Sequence, residues 1–500
     1  MDYMKLKSGS DVRGVAVGEG TKLTPDVAKT LGMAFARMLA AKTGKPAQAL
    51  SIALGRDSRI TGPALLQAAA EGIAATGAKA IDYGMCTTPA MYMAILTEGF
   101  RPDGSIMVTA SHHPWQLNGF KFFMAEGGIG FHELDELLAL AQGLESEAAG
   151  TGSIEHIPFL PTYQKHLQNL IITSLQPEVQ KPLLGLHVLV DAGNGAGGFY
   201  ADMLEELGAW VEGSQFLEPD GYFPNHIPNP ENEAAMASIS SAVKRVGADL
   251  GVIFDADCDR AAIVDHTGKE INRNRLIALI SAILLDTMPG ATIVTDSVTS
   301  SGLSDFIKEW GGEHYRYKRG YRNVIDEAIR LNKGGINCPI AMETSGHAAL
   351  RSNHFLDDGM YLVTVLLIKA MQLKQQGEVL SKMLDGLREP VESVEIRLPV
   401  LTEDFAATAK QVIEYVVEYA TEHEEWHIAP DNREGVRISF DCDEEMNSAW
   451  FLLRLSVHDP VMPLNAESDV PGGVKAALGK LAEALEDAQG VDLTPLKAAL

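Results

Sequence analysis

The sequence predicts an α/β protein with three related α/β domains, built on mainly parallel mixed sheets, followed by a C-terminal α+β domain. Strand-like and helix-like patterns alternate along the first three quarters of the chain, which is typical of βαβ units. After Gln376 longer helices and separate strand patterns replace this alternation. A chain of 500 residues also has room for several domains of about 100–200 residues each.

Turn-rich or polar stretches near three positions predict domains at 1–155, 156–270, 271–385 and 386–500. Strands of the three α/β domains are predicted at 49–54, 79–83, 105–109, 187–190, 210–216, 249–254, 291–295, 314–317 and 339–342. Helices of the first domain are predicted at 26–42, 63–78 and 89–98. The last domain has predicted strands at 394–398, 436–441 and 449–457 and helices at 403–422 and 474–488.

Composition excludes several classes of protein. Hydrophobic residues make up 46% of the chain and charged residues 22%, which is typical of folded globular proteins. The net charge of −26 disfavours binding to nucleic acid or to anionic lipid. The four cysteines form no CxxC pair, and no apolar run is long enough for a signal peptide or a membrane span. We therefore expect a reduced, cytoplasmic protein, either monomer or homodimer, that binds neither nucleic acid nor membrane.

Three short polar loops follow predicted strands, one in each α/β domain. They read TASHHP at 109–114, DADCDR at 255–260 and ETSGH at 343–347. In open parallel sheets, ligands bind at the carboxyl ends of the strands. These loops are therefore the first candidates for a functional site.

The DADCDR loop predicts a site for Mg²⁺. Asp255, Asp257 and Asp259 alternate directly after the apolar run GVIF, and oxygen-only ligands suit this hard cation. Arg260 beside them is a candidate for binding phosphate. Cys258 does not indicate zinc, because the other ligands are hard. The alternative is a solvated acidic turn.

The other loops give weaker signals when each is taken alone. Ser111 could be a nucleophile, with Lys121 ten residues on as a source of charge or as a base, although a turn that caps a helix is the favoured interpretation of this string alone. Glu343 and Ser345 could hold neighbouring hydroxyls of a sugar, and the alternative is a helix N-cap. In the tail, RLSVHDP offers Arg454 with a hydroxyl and an imidazole as a phosphate clamp, or else a surface arginine.

Taken together, these motifs resemble the α-D-phosphohexomutase superfamily, of the phosphomannomutase/phosphoglucomutase type, over almost the whole chain. The motifs that carry the resemblance are SGSDVRG (8–14), GRDSR (55–59), GMCTTP (84–89), TASHHP, Asn118-Gly119 with Lys121, VDAGNGAG (190–197), PDGYFPNHIPNPE (219–231), DADCDR, METSGH and RLSVHDP (454–460). The four domains would then carry, in order, a phosphoserine loop, a metal-binding loop, a sugar-binding loop and a phosphate-binding loop.

The resemblance implies an enzyme, an intramolecular phosphotransferase that moves phosphate between C1 and C6 of a hexose. A phosphoserine donates to the substrate, a small hexose phosphate, to give a bisphosphate, which also serves as activator, and Mg²⁺ is the cofactor. The implied catalytic residues are Ser111, Lys121, Arg13 and His112. The implied metal ligands are Asp255, Asp257, Asp259 and Ser111. The implied substrate-binding residues are Arg260, Arg322, Glu343, Ser345, His347, Arg454, Ser456 and His458.

The sequence departs from the family pattern in several loops. Ala256 and Cys258 stand where the metal loop of the family has glycine, so a positive φ at either position would bring strain. The other departures are His113 in the serine loop, Arg319 and Arg322 in RGYR, and Val457, His458 and Asp459 in the phosphate loop.

Three alternatives stay open at the level of sequence. A phosphoglucosamine mutase would use the same motifs, and the sequence does not rank glucose, mannose and amino sugars. The string DADCD also resembles the nucleophile motif of aspartyl-phosphate phosphatases, with Asp255 as the phosphorylated residue. The altered tail loop would suit a non-catalytic sugar-phosphate-binding protein.

Overall fold

The computed structural model describes residues 2–144, 150–175, 178–456, 459–486 and 488–500. The chain divides into two compact units. Unit 1 consists of Met1–Leu276 and Ser345–Met383, and unit 2 consists of Ile277–Thr344 and Leu384–Leu500. The four domain ranges expected from the sequence remain a prediction.

The first part of unit 1 is a mixed sheet with helices around it. Its strands are β1 (Lys7–Ser8), β2 (Asp11–Val15), β3 (Ser51–Arg56), β4 (Lys79–Met85), β5 (Gly104–Val108), β6 (Leu117–Met124), β7 (Gly127–Gly128) and β8 (Ile154–His156). Its helices are α1 (Pro25–Thr43), α2 (Gly62–Ala75), α3 (Thr88–Leu96) and α4 (Phe131–Gly143). The strand order is β1-β2-β6-β5-β3-β4-β8, with β3 parallel to β4 and β5 and with β6 antiparallel to β5.

The second sheet of unit 1 is smaller. Its elements are α5 (Leu160–Leu175), β9 (Val188–Asp191), α6 (Phe199–Glu206), α7 (Glu233–Val246), β10 (Leu250–Phe254), β11 (Ala261–Asp265) and β12 (Glu270–Ile271). The order is β12-β11-β10-β9, and β9 and β10 are parallel. The predicted strand at 210–216 is wrong, because Trp210 and Gln215 form only isolated bridges. Gly213, with φ of +98°, turns the chain between them.

A third set of elements begins with α8 (Arg273–Thr287). Unit 2 then contains β13 (Thr292–Asp296), α9 (Ser301–Glu309), β14 (Glu313–Tyr317), α10 (Tyr321–Lys333) and β15 (Ile340–Met342). Here β13 is parallel to both β14 and β15. The chain returns to unit 1 with β16 (Ala348–Leu350) and β17 (Leu356–Asp357), an antiparallel pair, and with α11 (Gly359–Gln375).

The tail, in unit 2, is an antiparallel sheet with helices, which together with the mixed sheets confirms the predicted fold class. Its elements are β18 (Glu392–Pro399), α12 (Phe405–Glu422), β19 (His427–Ile428), β20 (Val436–Cys442), β21 (Glu445–Leu453), β22 (Val461–Ser468), α13 (Gly473–Ala484) and α14 (Thr494–Ala498). The strand order is β18-β22-β21-β20-β19. Among the described residues, no helix has both the length and the apolar character needed to cross a bilayer.

Glycines allow α1 and α2 to pack closely in the first core. The α1 helix begins at an N-cap, Thr24, whose hydroxyl accepts from the Val27 amide, and it ends at Gly44 with φ of +69°. A Cβ atom built on Gly32 would lie 2.2 Å from the Ala69 carbonyl oxygen. One built on Gly72 would lie 2.0 Å from the Lys29 carbonyl oxygen. The two backbones therefore meet at a distance that only glycine permits.

We predict that Gly72→Ala lowers the free energy of unfolding by about 1–3 kcal/mol, because the added methyl group overpacks a contact between backbones. The measurement is chemical denaturation of the purified variant. Gly479→Ala is the matched control, since its Cβ has only Leu500 within 4.0 Å and alanine favours helix by up to about 1 kcal/mol. A Gly72→Ala variant as stable as wild type would contradict the close approach.

Candidate active site

Ser111 lies in the loop that follows β5, in a conformation that L-residues rarely adopt. Its φ is +51° and its side chain is buried. Its amide donates to the Thr109 hydroxyl at 2.8 Å. Its hydroxyl donates to Asp255 Oδ2 at 2.9 Å and lies 3.2 Å from His112 Nδ1. The structure therefore brings the predicted nucleophile and the first predicted metal ligand together.

Arg59 holds this loop from behind. Its side chain is fully buried, and its Nε donates to Asp57 Oδ2 at 3.1 Å. The other four N–H groups of the guanidinium donate, at 2.5–2.9 Å, to the carbonyl oxygens of Ser111, His113, Pro114 and Leu117. All five donors of the arginine are thus used, a number that lysine cannot match. GRDSR is one of the motifs that carry the family resemblance, but the sequence predicted no role for Arg59.

The three aspartates after β10 form one buried acidic group. Potential ligand atoms of Asp255, Asp257 and Asp259 all lie within 4.8 Å of one another. Lys121 Nζ donates to Asp257 Oδ2 at 2.9 Å and also to Asp259 Oδ2. In the described part of the chain, Oδ1 of Asp257 and Oδ1 of Asp259 are buried without a hydrogen-bond partner. Unpartnered buried carboxylate oxygens beside a hydroxyl are the donor set that a hard divalent cation requires.

Charge in this group is unevenly distributed. Burial, followed by the charges of Asp259 and Asp257, raises the pKa of Asp255 well above its usual value. For Asp259 burial acts in the same direction, but the charges of Lys121, His347 and Arg260 together outweigh it and lower the pKa. Three carboxylates thus lie close together with Lys121 and Arg260 beside them, and the residues fit a site that a cation completes.

Arg260 and His347 meet at the edge of this group. Arg260 Nε donates to His347 Nε2 at 2.9 Å, and the two residues also form an isolated backbone bridge. His347 Nδ1 lies 2.5 Å from Asp357 Oδ2. This arrangement fixes the imidazole with its proton on Nδ1. Asp357 was not predicted, because its partner lies ten residues away with a turn between them.

The two histidines of the serine loop are neutral at pH 7. The rings of His112 and His113 stack with centroids 4.6 Å apart. Burial, with help from Arg260, strongly lowers the pKa of His112. Burial, followed by Arg13, lowers the pKa of His113 to about 4. Arg13 itself pairs with Asp11 at 3.0 Å.

Unit 2 carries a second polar group, around Glu343. Glu343 Oε1 accepts from the Gly320 amide at 2.6 Å. Asp296, fully buried, accepts from the Thr344 hydroxyl at 2.8 Å, and Arg319 Nε lies 4.0 Å from it. Burial, followed by the charge of Glu343, raises the pKa of Asp296 to about 7. Ser345 and His347 belong to unit 1, where Ser345 is buried.

The remaining predicted residues are less connected. Arg454 is buried, and its Nε is without a hydrogen-bond partner among the described residues. Ser456 Oγ accepts from the Asp459 amide at 3.2 Å. Arg322 pairs with Asp326, one turn further along α10, at 2.9 Å. His458 lies outside the described residues.

Comparison with known proteins relates these features to a family. Models of phosphoglucomutase/phosphomannomutase alpha/beta/alpha domains I, II and III match residues 4–143, 161–268 and 272–390. A phosphomannomutase/phosphoglucomutase of Pseudomonas aeruginosa is 31% identical over 92% of this chain and 90% of its own. A phosphoglucomutase of Neisseria gonorrhoeae is 30% identical over 95% of both chains.

A solved structure gives the same relationship. A phosphoglucomutase/phosphomannomutase family protein from Burkholderia thailandensis superposes with a TM-score of 0.80, at 28% identity, over 98% of both chains. These relatives span nearly the full length of this chain.

The strain expected in the metal loop is present at one of the two positions. Cys258 has φ of +65°, whereas Ala256 is outside the left-handed region. The Cys258 side chain is fully buried, and a Cβ atom built on Gly197 would lie 3.0 Å from its Sγ. A β-carbon at this φ costs about 1–2 kcal/mol.

We therefore predict that Cys258→Gly is more stable than Cys258→Ala by about 1 kcal/mol, since both variants remove the thiol but only alanine keeps the strain. At an ordinary position glycine would be the less stable of the two by roughly 0.5–1 kcal/mol. Denaturant titration of the two variants decides the order, and an alanine variant that is equally or more stable would show that the loop relaxes.

Proposed function

Because this chain belongs to the phosphoglucomutase/phosphomannomutase family, we propose that it interconverts hexose 1-phosphate and hexose 6-phosphate, with mannose or glucose as the sugar. The reaction runs through a phosphoserine enzyme and a hexose 1,6-bisphosphate. The observation that carries this proposal is the 2.9 Å contact between the Ser111 hydroxyl and Asp255, at the edge of a buried acidic group. The enzyme is an isomerase that acts by intramolecular phosphotransfer.

Ser111 is proposed to hold the phosphoryl group between turnovers. In transfer the substrate hydroxyl oxygen bonds to phosphorus, the bond from Ser111 Oγ to phosphorus breaks, and the proton of the substrate hydroxyl ends on Ser111 Oγ. The reverse exchange at the other end of the sugar restores the phosphoserine. Arg59 keeps the loop shaped so that Oγ points at the acidic group. His112 is a weak base because its pKa is low, so we assign it to orienting the serine rather than to storing a proton.

The candidate cofactor is Mg²⁺, held by Asp255, Asp257, Asp259 and the phosphorylated Ser111. When bound, it would neutralise negative charge on the phosphoryl group during transfer. Lys121 neutralises part of the aspartate charge. A structural neighbour, the N-acetylphosphoglucosamine mutase of Aspergillus fumigatus, was solved with GlcNAc-6P and magnesium.

We propose the following residues for the substrate. Glu343 and Ser345 are candidates for the hydroxyls of the sugar, and Arg13, Arg260 and His347 for the reacting phosphate. Candidates for the non-reacting phosphate are Arg322, Arg454, Ser456 and His458. Of these, Arg454 has the strongest support, because its buried Nε has no hydrogen-bond partner among the described residues and could donate to an anion.

The alternatives receive less support. A phosphatase with Asp255 as nucleophile would not need a strained serine loop that Arg59 holds through four carbonyl groups. A non-catalytic binding protein would not need Lys121 between the aspartates. We further propose that the protein is a monomer or a homodimer in the cytoplasm.

We predict that Ser111→Ala abolishes interconversion of glucose 1-phosphate and mannose 1-phosphate with their 6-phosphates, because the covalent acceptor is lost. The measurement is a coupled assay with a trace of glucose 1,6-bisphosphate, together with the intact mass of the wild type after incubation with the bisphosphate. Added phosphate that maps to Ser111 supports the proposal. Turnover in the variant, or hydroxylamine-labile phosphate at Asp255, would favour the phosphatase.

Arg454→Ala should raise KM for the hexose phosphate at least tenfold while changing kcat less, because a charge-assisted contact to the non-reacting phosphate is lost. Arg397→Ala is the control, since Arg397 is 64% exposed on β18 and pairs only weakly with Glu395. Steady-state kinetics on both variants give the comparison. Equal KM values for the two variants would show that the tail does not bind the substrate.

A further inference from the structure

We propose that Thr88 positions the divalent cation, by turning the Asp257 carboxylate so that one of its oxygens faces the metal. This inference rests on the proposed function, because it assumes that the aspartates bind a cation. Thr88 is the first residue of α3, in the GMCTTP segment after β4, and it is 4% exposed. GMCTTP is a motif of the family resemblance, but the sequence predicted no role for Thr88.

Two hydrogen bonds join Thr88 to the central aspartate of the acidic loop. The Thr88 amide donates to the Asp257 carbonyl oxygen at 2.9 Å. The Thr88 hydroxyl donates to Asp257 Oδ2 at 2.5 Å. The first bond locates the backbone of the loop, and the second acts on the carboxylate itself. The two residues are 169 positions apart in sequence.

The partners of the two carboxylate oxygens are distributed unequally. Asp257 Oδ2 accepts from both the Thr88 hydroxyl and Lys121 Nζ, whereas Oδ1 is buried without a partner. Donors placed on one oxygen fix the rotation of the carboxylate, so the other oxygen points in a defined direction. Oδ1 of Asp259 is left free in the same way. Groups that hydrogen-bond to a metal ligand commonly determine its orientation and affinity.

The Thr88 hydroxyl is not needed to cap α3 or to hold this helix against the acidic loop. The neighbouring Thr87 already caps α3, since its hydroxyl accepts from the Ala90 amide at 3.3 Å. The backbone bond of Thr88 to Asp257 holds the helix against the loop without the hydroxyl. Adjacent threonines therefore have separate tasks, and each can be removed alone.

The experiment measures metal binding directly. Mn²⁺ alone is titrated into unphosphorylated protein, with free Mn²⁺ followed by electron paramagnetic resonance, for the wild type, Thr88→Val, Thr88→Ser and Thr87→Ala. Valine keeps the shape of threonine but removes the hydroxyl, and serine keeps the hydroxyl. Asp257→Asn shows whether the Mn²⁺ that is counted lies at this site. Thermal unfolding is recorded for every variant.

We expect Thr88→Val to raise the Kd for Mn²⁺ by about 10–100-fold, as loss of a group that supports a metal ligand usually does. Thr88→Ser should bind as the wild type does. Thr87→Ala should lower Tm without changing Kd, because it loses only the helix cap. If Thr88→Val does not fold, Thr88→Ala replaces it and must bind more weakly than Thr88→Ser.

The outcomes separate the inference from the function on which it rests. A wild type that binds no Mn²⁺, or that binds it equally after Asp257→Asn, overturns both the metal site and the role of Thr88. If the wild type binds Mn²⁺, Asp257→Asn weakens this binding and Thr88→Val leaves the Kd unchanged, only the role of Thr88 is overturned. A Kd that changes in step with Tm across all variants, Thr87→Ala included, also overturns it.

Discussion

Three carboxylates are buried together at the end of β10, and the rest of the site is arranged around this concentration of negative charge. A buried charge is costly unless it is paired, and removing one member of such a group leaves another uncompensated. Lys121, Arg260 and the Ser111 hydroxyl contribute partial compensation. Within the described part of the chain, Oδ1 of Asp257 and Oδ1 of Asp259 lack a hydrogen-bond partner, which shows where a further positive charge would be stabilising.

Different residues determine the shape of the serine loop and the negative charge beside it. Arg59 determines the shape of the serine loop by using every guanidinium donor, and Asp57 in turn holds Arg59 and the Thr109 hydroxyl. The aspartates contribute negative charge, and among the described contacts one of them, Asp255, accepts a hydrogen bond from the Ser111 hydroxyl. The shape of the Ser111 loop is therefore determined separately from the charge of the aspartates, which would be useful in the proposed cycle between serine and phosphoserine.

Much of the fold and the buried acidic group could be predicted from the sequence, because patterns among neighbouring residues determine them. Alternating apolar strands and helices predicted the fold class, and three acids directly after GVIF predicted the buried acidic group. Contacts between distant residues could not be predicted, such as those of Arg59 and Asp357, because no local pattern reports them. The strand β22 was not predicted, and it contains Pro463, a residue that usually argues against a paired strand. At 210–216 an apolar pattern predicted a strand that a glycine turn interrupts.

The contacts of Arg59 have a consequence for the order in which the chain is made. All the carbonyl groups that it binds lie 52–58 residues after it, so a nascent chain of about 120 residues already contains the complete set. Asp255 follows Ser111 by 144 residues, which takes on the order of ten seconds on a ribosome. All the carbonyl groups that Arg59 binds around Ser111 are therefore synthesised before Asp255, the acidic partner of the Ser111 hydroxyl.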